Sequence, residues 1–275
     1  MTTNKLLQLG AEQLTDHVPE PALEARVLLS DVLAIDQARL LAHVETDVPA
    51  DQEHAYRNLL TQRALGVPLA YVRGKQEFLG HEFILKPGVL IPRPATEVLV
   101  ETLLDRLPND LFQAMDVGTG SGCVACSLAL ARPNWNILAI DPSPIARDVA
   151  SQNVAKFELG SRVVVLDGYL LHDVQTQPDI IFANLPYLRT DQLSEPSIAQ
   201  EPALALDGGT DGFNLIDELL LEIQQRPKPQ ALVLECDASQ AEALEKKCMV
   251  MFPEARVEII TETPTPLGVG VWWKK

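Results

Sequence analysis

Three things are scarce in this sequence, and each shortage excludes a class of function. No stretch approaches the roughly 18 unbroken apolar residues that a membrane-crossing helix needs. Met1-Thr2-Thr3-Asn4-Lys5 lacks the basic, apolar and small-residue layout of a secretory leader. A cytoplasmic location and no membrane partner are therefore expected. Positive charge is also short: 22 Lys and Arg stand against 38 Asp and Glu, for a net charge of −16. A protein that grips a nucleic-acid backbone gathers Lys and Arg on a basic face. Here the dense basic pairs are Lys246-Lys247 and Lys274-Lys275, so a protein or small-molecule substrate is expected and nucleic acid is not. Metal-ligand spacing is the third shortage. Cys123 and Cys126 form a C-x-x-C pair, but Cys236 and Cys248 stand twelve residues apart, without the close second pair of a structural zinc site. The five histidines are scattered, without ligand spacing. No metal is expected, and the thiols read as buried small residues.

What is present is a chain of 275 residues, long enough for two domains with separate cores, with no internal repeat. The first 70 residues read as a small helical bundle. Leu6, Leu7, Ala11 and Leu14 recur at helical spacing, and Pro21 suits the first turn of a helix over 22–33. A short segment over 37–43 and a helix from Pro49, with Tyr56, Leu59, Leu60 and Ala64 on one side, complete it. Residues 71–92 read as a β-hairpin linker around Gly80, ending in the stiff Ile91-Pro92-Arg93-Pro94. Thr96 is predicted to cap a helix over 97–107.

From there, strands and helices alternate, which predicts an α/β fold with a parallel, doubly wound sheet over 93–275. Strands are expected at 113–117, 137–140, 162–166, 179–183 and 231–234, and helices near 122–131, 144–157, 211–224 and 239–250. Two final strand-like runs, 256–261 and 268–273, predict an antiparallel pair.

Chemistry concentrates at two strand ends. The first is Asp116-Val117-Gly118-Thr119-Gly120-Ser121-Gly122-Cys123, a glycine-rich turn between a predicted strand and a predicted helix. Such a turn lets the backbone approach a ligand and offers it the free N–H groups of a helix start. A dinucleotide fingerprint would need Gly or Ala where Cys123 stands, no Gly-Lys-Ser/Thr follows as in a P-loop, and Ser121 lacks the glycine two residues before it that a nucleophile elbow needs. Asp141 ends the second strand, about twenty residues on, where a carboxylate can accept from both hydroxyls of a ribose. GxGxG with that acid points to S-adenosyl-L-methionine more than to NAD.

The second is Asn184-Leu185-Pro186-Tyr187, at the end of the fourth strand and hence on the same rim. The Asn184 side-chain oxygen and a neighbouring main-chain carbonyl can accept both hydrogens of an NH₂ group, and Tyr187 can pack on the plane that carries it. An amide or an exocyclic adenine amine would each satisfy this arrangement.

With these residues in place, the chain resembles the HemK-type family, the release factor glutamine methyltransferases. The resemblance runs through Gly66-x-Pro68-x-x-Tyr71-x-x-Gly74, Glu77-Phe78, Ile91-Pro92-Arg93-Pro94-x-Thr96-Glu97, the glycine loop, the Asn184 tetrad, Glu201-Pro202-x-x-Ala205-Leu206, Gly208-Gly209 and Asp211-Gly212. It implies a Rossmann-like class I methyltransferase sheet, and transfer of a methyl group from S-adenosyl-L-methionine to the glutamine of the Gly-Gly-Gln loop of peptide-chain release factors. It implies that Gly118, Thr119, Gly120, Ser121, Gly122 and Asp141 hold the cofactor, with Asp167 and Gly168 near its adenine and Asn184 beside it. Asn184, Leu185, Pro186 and Tyr187 would clamp the glutamine. Residues 1–70 and the hairpin would dock the release factor, and a monomer is expected. Four departures stand out: Leu185 where the family has Pro, Ala95 where an acid is common, Cys236-Asp237 where Ile-Gly is frequent, and a chain end without the usual Asp-Arg pair. Asn-Leu-Pro-Tyr also occurs in ribosomal-RNA adenine dimethyltransferases. An adenine methyltransferase, a ribosomal-protein glutamine methyltransferase and a non-enzymatic scaffold are the competing readings.

Overall fold

The computed structural model describes residues 1–172, 174–195 and 198–273. The Lys274-Lys275 pair lies outside the described residues. The chain divides into two compact units, 1–75 and 76–275. No helix among the described residues is long and apolar enough to cross a membrane.

The first unit is helical: α1 (Thr3–Leu14), α2 (Pro21–Leu33), α3 (Gln37–Ala42), α4 (Ala50–Ala64) and α5 (Leu69–Arg73). Leu6, Leu14, Leu28, Leu29, Tyr56 and Leu60 are fully buried in its core. Pro21 occupies the first turn of α2, where its missing N–H has no partner to lose. Asp36 caps α3 by accepting from the Arg39 N–H at 2.7 Å. The helix α5 was not predicted; its five residues between Pro68 and Gly74 are too few for periodicity to register. Asp31 accepts from Arg73 and pairs with Lys75 at 3.0 Å, tying the end of this unit to α2.

The second unit begins with the hairpin of β1 (Lys75–Phe78) and β2 (His81–Ile84). Next come α6 (Pro94–Arg106), β3 (Gln113–Val117), α7 (Cys123–Ala131), β4 (Asn136–Asp141) and α8 (Pro144–Lys156). β5 (Val163–Asp167), β6 (Ile180–Ala183), α9 (Asn214–Gln224), β7 (Ala231–Glu235), α10 (Ala241–Met251), β8 (Arg256–Glu262) and β9 (Thr265–Trp272) complete it. Among the described residues one sheet has seven strands in the order β5-β4-β3-β6-β7-β9-β8, parallel except for antiparallel β9.

Alternation along each strand feeds two cores. Ala114, Ile137, Ala139, Phe182 and Val233 face α6 and α7, with Phe78 and Phe83 of the hairpin in the same cluster. Met115, Val117, Ile181, Leu232 and Leu234 face the other way, onto Ile216, Leu219, Leu220 and Ile223 of α9 and Leu244 of α10. Those four α9 residues follow i, i+3, i+4, i+7 spacing, one apolar stripe of a helix. The connection from β3 through α7 leads to β4 on one side, and β6 pairs with β3 on the other. The strand order reverses there, and that reversal opens a crevice at the carboxyl end of β3.

One local expectation fails. Helix α6 starts at Pro94, not after Thr96, and Thr96 is buried in its first turn. Its hydroxyl donates to a carboxylate across the sheet instead of capping the helix. A tertiary partner outcompetes the local cap.

In the helical unit, Gly10 of α1 faces Tyr56, whose hydroxyl donates to the Ala25 carbonyl at 3.1 Å. Gly→Ala inside an exposed helix gains about 1 kcal/mol. At Gly10 the added Cβ runs into the Tyr56 hydroxyl and Ala25. Gly10→Ala is therefore expected to destabilise this unit, by about 1–3 kcal/mol. Faster amide hydrogen exchange in α1, α2 and α4 checks it; slower exchange would contradict it.

Candidate active site

Two buried carboxylates hold the loop after β3. Asp116 Oδ2 accepts from Thr119 Oγ1 at 2.6 Å and from the Ala125 N–H at 3.1 Å. Complete burial, with the Asp141 charge adding to it, pushes the Asp116 carboxyl up to about 7 despite those two donors. Asp141, at the end of β4, accepts from the Gly120 N–H at 2.9 Å and, on its other oxygen, from the Ser143 N–H at 2.8 Å. Burial raises its proton affinity, while both backbone donors and Arg147 oppose the rise. The backbone N–H groups of Gly118 and Thr119 both donate to the Ile140 carbonyl, at 2.8 and 3.0 Å, which clamps the loop against β4.

Gly122 is the glycine that helix packing demands. It has φ +76° at the start of α7, and a Cβ there would lie 3.1 Å from the Ala150 Cβ of α8. Beneath the loop, Asn153 of α8 is fully buried. Its Nδ2 donates to the carbonyls of Ser121 (2.9 Å) and Ile84 (3.0 Å), and its Oδ1 accepts from the Ile84 N–H (2.8 Å). One side chain joins the glycine loop, the hairpin and α8.

The loop opens on a cavity of about 310 Å³, within the roughly 300–1,000 Å³ typical of small-molecule sites. Gly118, Thr119, Gly120, Ser121, Asp141, Gly168, Asn184, Leu185 and Pro186 line it, with Val89, Ile145, Leu170 and Leu215 as apolar wall. Three predicted residues lie elsewhere. Gly122 turns toward Ala150. Asp167 has a side chain 75% exposed and pairs with Arg147 at 2.8 Å. Tyr187 lines a second cavity of about 170 Å³ with Leu90, Arg93, Leu188 and Leu206. Asn184 lines both cavities.

Segments distant in sequence brace this rim. Glu201 is buried, pairs with Arg93, and accepts from the Ile91 N–H at 3.0 Å, joining the Pro-rich connector to the Glu201-Pro202 segment. Gly212 packs on the Tyr187 carbonyl so closely that a Cβ has no room. Gln240 donates to the carbonyls of Tyr187 (2.8 Å) and Asp211 (3.1 Å). Tyr169 donates to Glu218 at 2.8 Å, and His172 Nε2 lies 2.8 Å from Glu222, so the loop bordering the cavity is anchored to α9. All four cysteines are buried and unpaired, and burial pushes Cys123 up to about 12. Glu201 was read only as part of the Glu201-Pro202 motif, while Asn153, Glu235 and Gln240 escaped the sequence reading. Glu235 alone carried a legible signal, an acid ending an apolar strand just as Asp141 does.

The donor set fits an adenosyl cofactor. Each Asp141 oxygen accepts one backbone N–H and keeps lone pairs for a ribose hydroxyl, and the apolar wall offers a dry bed for a base. The doubly wound sheet, glycine loop and rim carboxylate define a class I methyltransferase. Residues 5–74 match the PrmC N-terminal domain, and 92–202 match the methyltransferase small domain. The release factor glutamine methyltransferase of Moorella thermoacetica is 39% identical over 82% of this chain and 82% of its own. That of Bordetella pertussis is 39% identical over 81% of this chain and 84% of its own. The chain belongs to the release factor glutamine methyltransferase family. In fold alone it is similar to the human METTL16 catalytic domain in complex with an RNA hairpin, at TM-score 0.57 and 17% identity, covering 78% of this chain and 82% of that one.

Raised proton affinity at Asp116 has a definite sign. The native state binds that proton more tightly than the unfolded chain, so the contribution is favourable below about pH 4 and is lost as pH rises through about 7. Asp116→Asn has no such loss. Its unfolding free energy relative to wild type should rise by on the order of a few kcal/mol between pH 4 and 7.5. Urea unfolding at both pH values checks this, and a constant difference would contradict it.

Proposed function

We propose that this protein transfers a methyl group from S-adenosyl-L-methionine to the side-chain amide nitrogen of the glutamine in the Gly-Gly-Gln motif of peptide-chain release factors. One observation carries the reading: Asn184 lines both the cavity of the glycine loop and Asp141 and the smaller cavity flanked by Tyr187. A donor held in the first and an amide held in the second would meet at Asn184.

When bound, S-adenosyl-L-methionine supplies an electrophilic methyl group on a sulfonium. Gly118 to Ser121 would bind its amino-acid and ribose portions, Asp141 would accept from the ribose hydroxyls, and Gly168 would border the adenine. An amide nitrogen is a poor nucleophile because its lone pair is delocalised into the carbonyl. The Asn184 Oδ1 and the Leu185 carbonyl accept its two N–H groups and turn the lone pair toward the methyl group. Leu185 in place of Pro leaves that carbonyl in the chain. As the N–C bond forms, the sulfur–methyl bond breaks to leave a neutral thioether, and the nitrogen gives up one proton to water. Positioning and preorganised dipoles supply the catalysis, without a strong base. The helical unit and the hairpin dock the release factor, and the enzyme works as a monomer in the cytoplasm.

Transfer of labelled methyl to three acceptors tests the substrate: a release factor, the same factor with its Gly-Gly-Gln glutamine changed, and total RNA. Label on the intact factor alone is expected; label on RNA would move the assignment to an adenine amine. Asn184→Ala should lower kcat/KM by at least about 100-fold with the fold intact, the scale of losing a preorganised polar contact. Asp141→Ala should weaken S-adenosylhomocysteine binding by about 10–100-fold, the scale of hydrogen bonds to a charged group. Unchanged affinity by calorimetry would remove Asp141 from the ribose site.

A further inference from the structure

Glu235 ends β7 at 2% exposure and lines neither cavity itself. One of its oxygens accepts from Thr96 Oγ1 at 2.6 Å and the other from the Tyr187 hydroxyl at 3.1 Å. A carboxylate only accepts, so the single Thr96 proton is committed to Glu235. The Thr96 oxygen then has only lone pairs to offer, and Asn184 Nδ2 lies 3.3 Å from it. The group of Asn184 that faces Thr96 must be its NH₂. Heavy-atom positions alone do not distinguish the two ends of an amide, but this chain of donors does.

That order holds while Glu235 is ionised. Burial raises the Glu235 carboxyl, opposed by the Thr96 and Tyr187 hydroxyls, the Arg93 charge and the Asn184 amide. Burial and the neighbouring Glu235 charge push the Tyr187 phenol far above its ordinary value, so it keeps the proton it donates. Asn184 with its NH₂ toward Thr96 presents Oδ1 at its opposite end, suited to a substrate NH₂ and unsuited to a carboxylate.

We infer that Glu235, acting through Thr96, is a positioning residue that orients the Asn184 amide with Oδ1 toward the substrate and so makes the site select glutamine over glutamate. This rests on the reading in which Asn184 receives the substrate amide. Glu235→Gln undoes the order, because its own NH₂ can donate to Thr96, which frees the threonine proton for Asn184 Oδ1 and permits the amide to flip.

The test compares two affinities measured by calorimetry with S-adenosylhomocysteine bound: for a release factor and for its Gln→Glu form at the Gly-Gly-Gln position. Wild type should favour glutamine at least tenfold, and Glu235→Gln should narrow the ratio to within about threefold. Asp237→Asn removes a neighbouring negative charge without touching Thr96 and should keep the wild-type ratio. S-adenosylhomocysteine affinity should stay unchanged in both variants. An unchanged ratio in Glu235→Gln, the same narrowing in Asp237→Asn, or loss of the S-adenosylhomocysteine affinity would overturn the inference. Neutron diffraction from a deuterated wild-type crystal reads the orientation without substitution. Deuterons of Asn184 Nδ2 should point at Thr96, and its oxygen in that place would overturn the inference. Wild-type transfer by Asn184→Ala would instead remove the underlying reading. If Asn184→Ala fails while Glu235→Gln behaves as wild type, only the orienting role falls.

Discussion

Parallel pairing of β3 with a neighbour on each side is the constraint on which the site depends. Val117 pairs with Ile140 across one edge and with Ala183 across the other. Because all three strands point the same way, their next residues emerge together: the glycine loop, Asp141 and Asn184. A register slip of one residue would move every side chain of a strand to the opposite face and dissolve both cores with the site. The apolar alternation that fills those cores therefore also sets the geometry of the cavity.

That rim buries three carboxyl groups. Asp116, Asp141 and Glu235 are nearly inaccessible to solvent, and each is held by donors of the chain: a hydroxyl and an N–H, two N–H groups, and two hydroxyls. Burying carboxylates is unfavourable unless hydrogen bonds replace water. Here the replacements also fix the loops, so the same bonds that make burial tolerable rigidify the site. A sulfonium cation suits surroundings rich in carboxylate oxygen.

Much of this was legible in the sequence. The strand at 113–117 falls where the apolar run and the following glycines put it, and the parallel sheet ends in the expected antiparallel pair. Glycines, the strand-end Asp141 and the Asn184 tetrad were readable because their chemistry depends on local spacing. What escaped depends on contacts across the fold. Thr96 looks like a helix cap until Glu235, 139 residues away, claims its proton. Asn153 looks like an ordinary helix residue until Ser121 and Ile84 are seen against it. Asp167 carries the strand-end signal of Asp141, yet its carboxylate is exposed and pairs with Arg147.

The central claim is that Asn184 Oδ1 and the Leu185 carbonyl receive the NH₂ of a glutamine side chain. A crystal structure with S-adenosylhomocysteine and a release factor bound tests it most directly. The account predicts the glutamine amide nitrogen within about 3 Å of both acceptors, the length of a normal hydrogen bond. A glutamine that presents its carbonyl oxygen to Asn184, or that enters by another route, would contradict it.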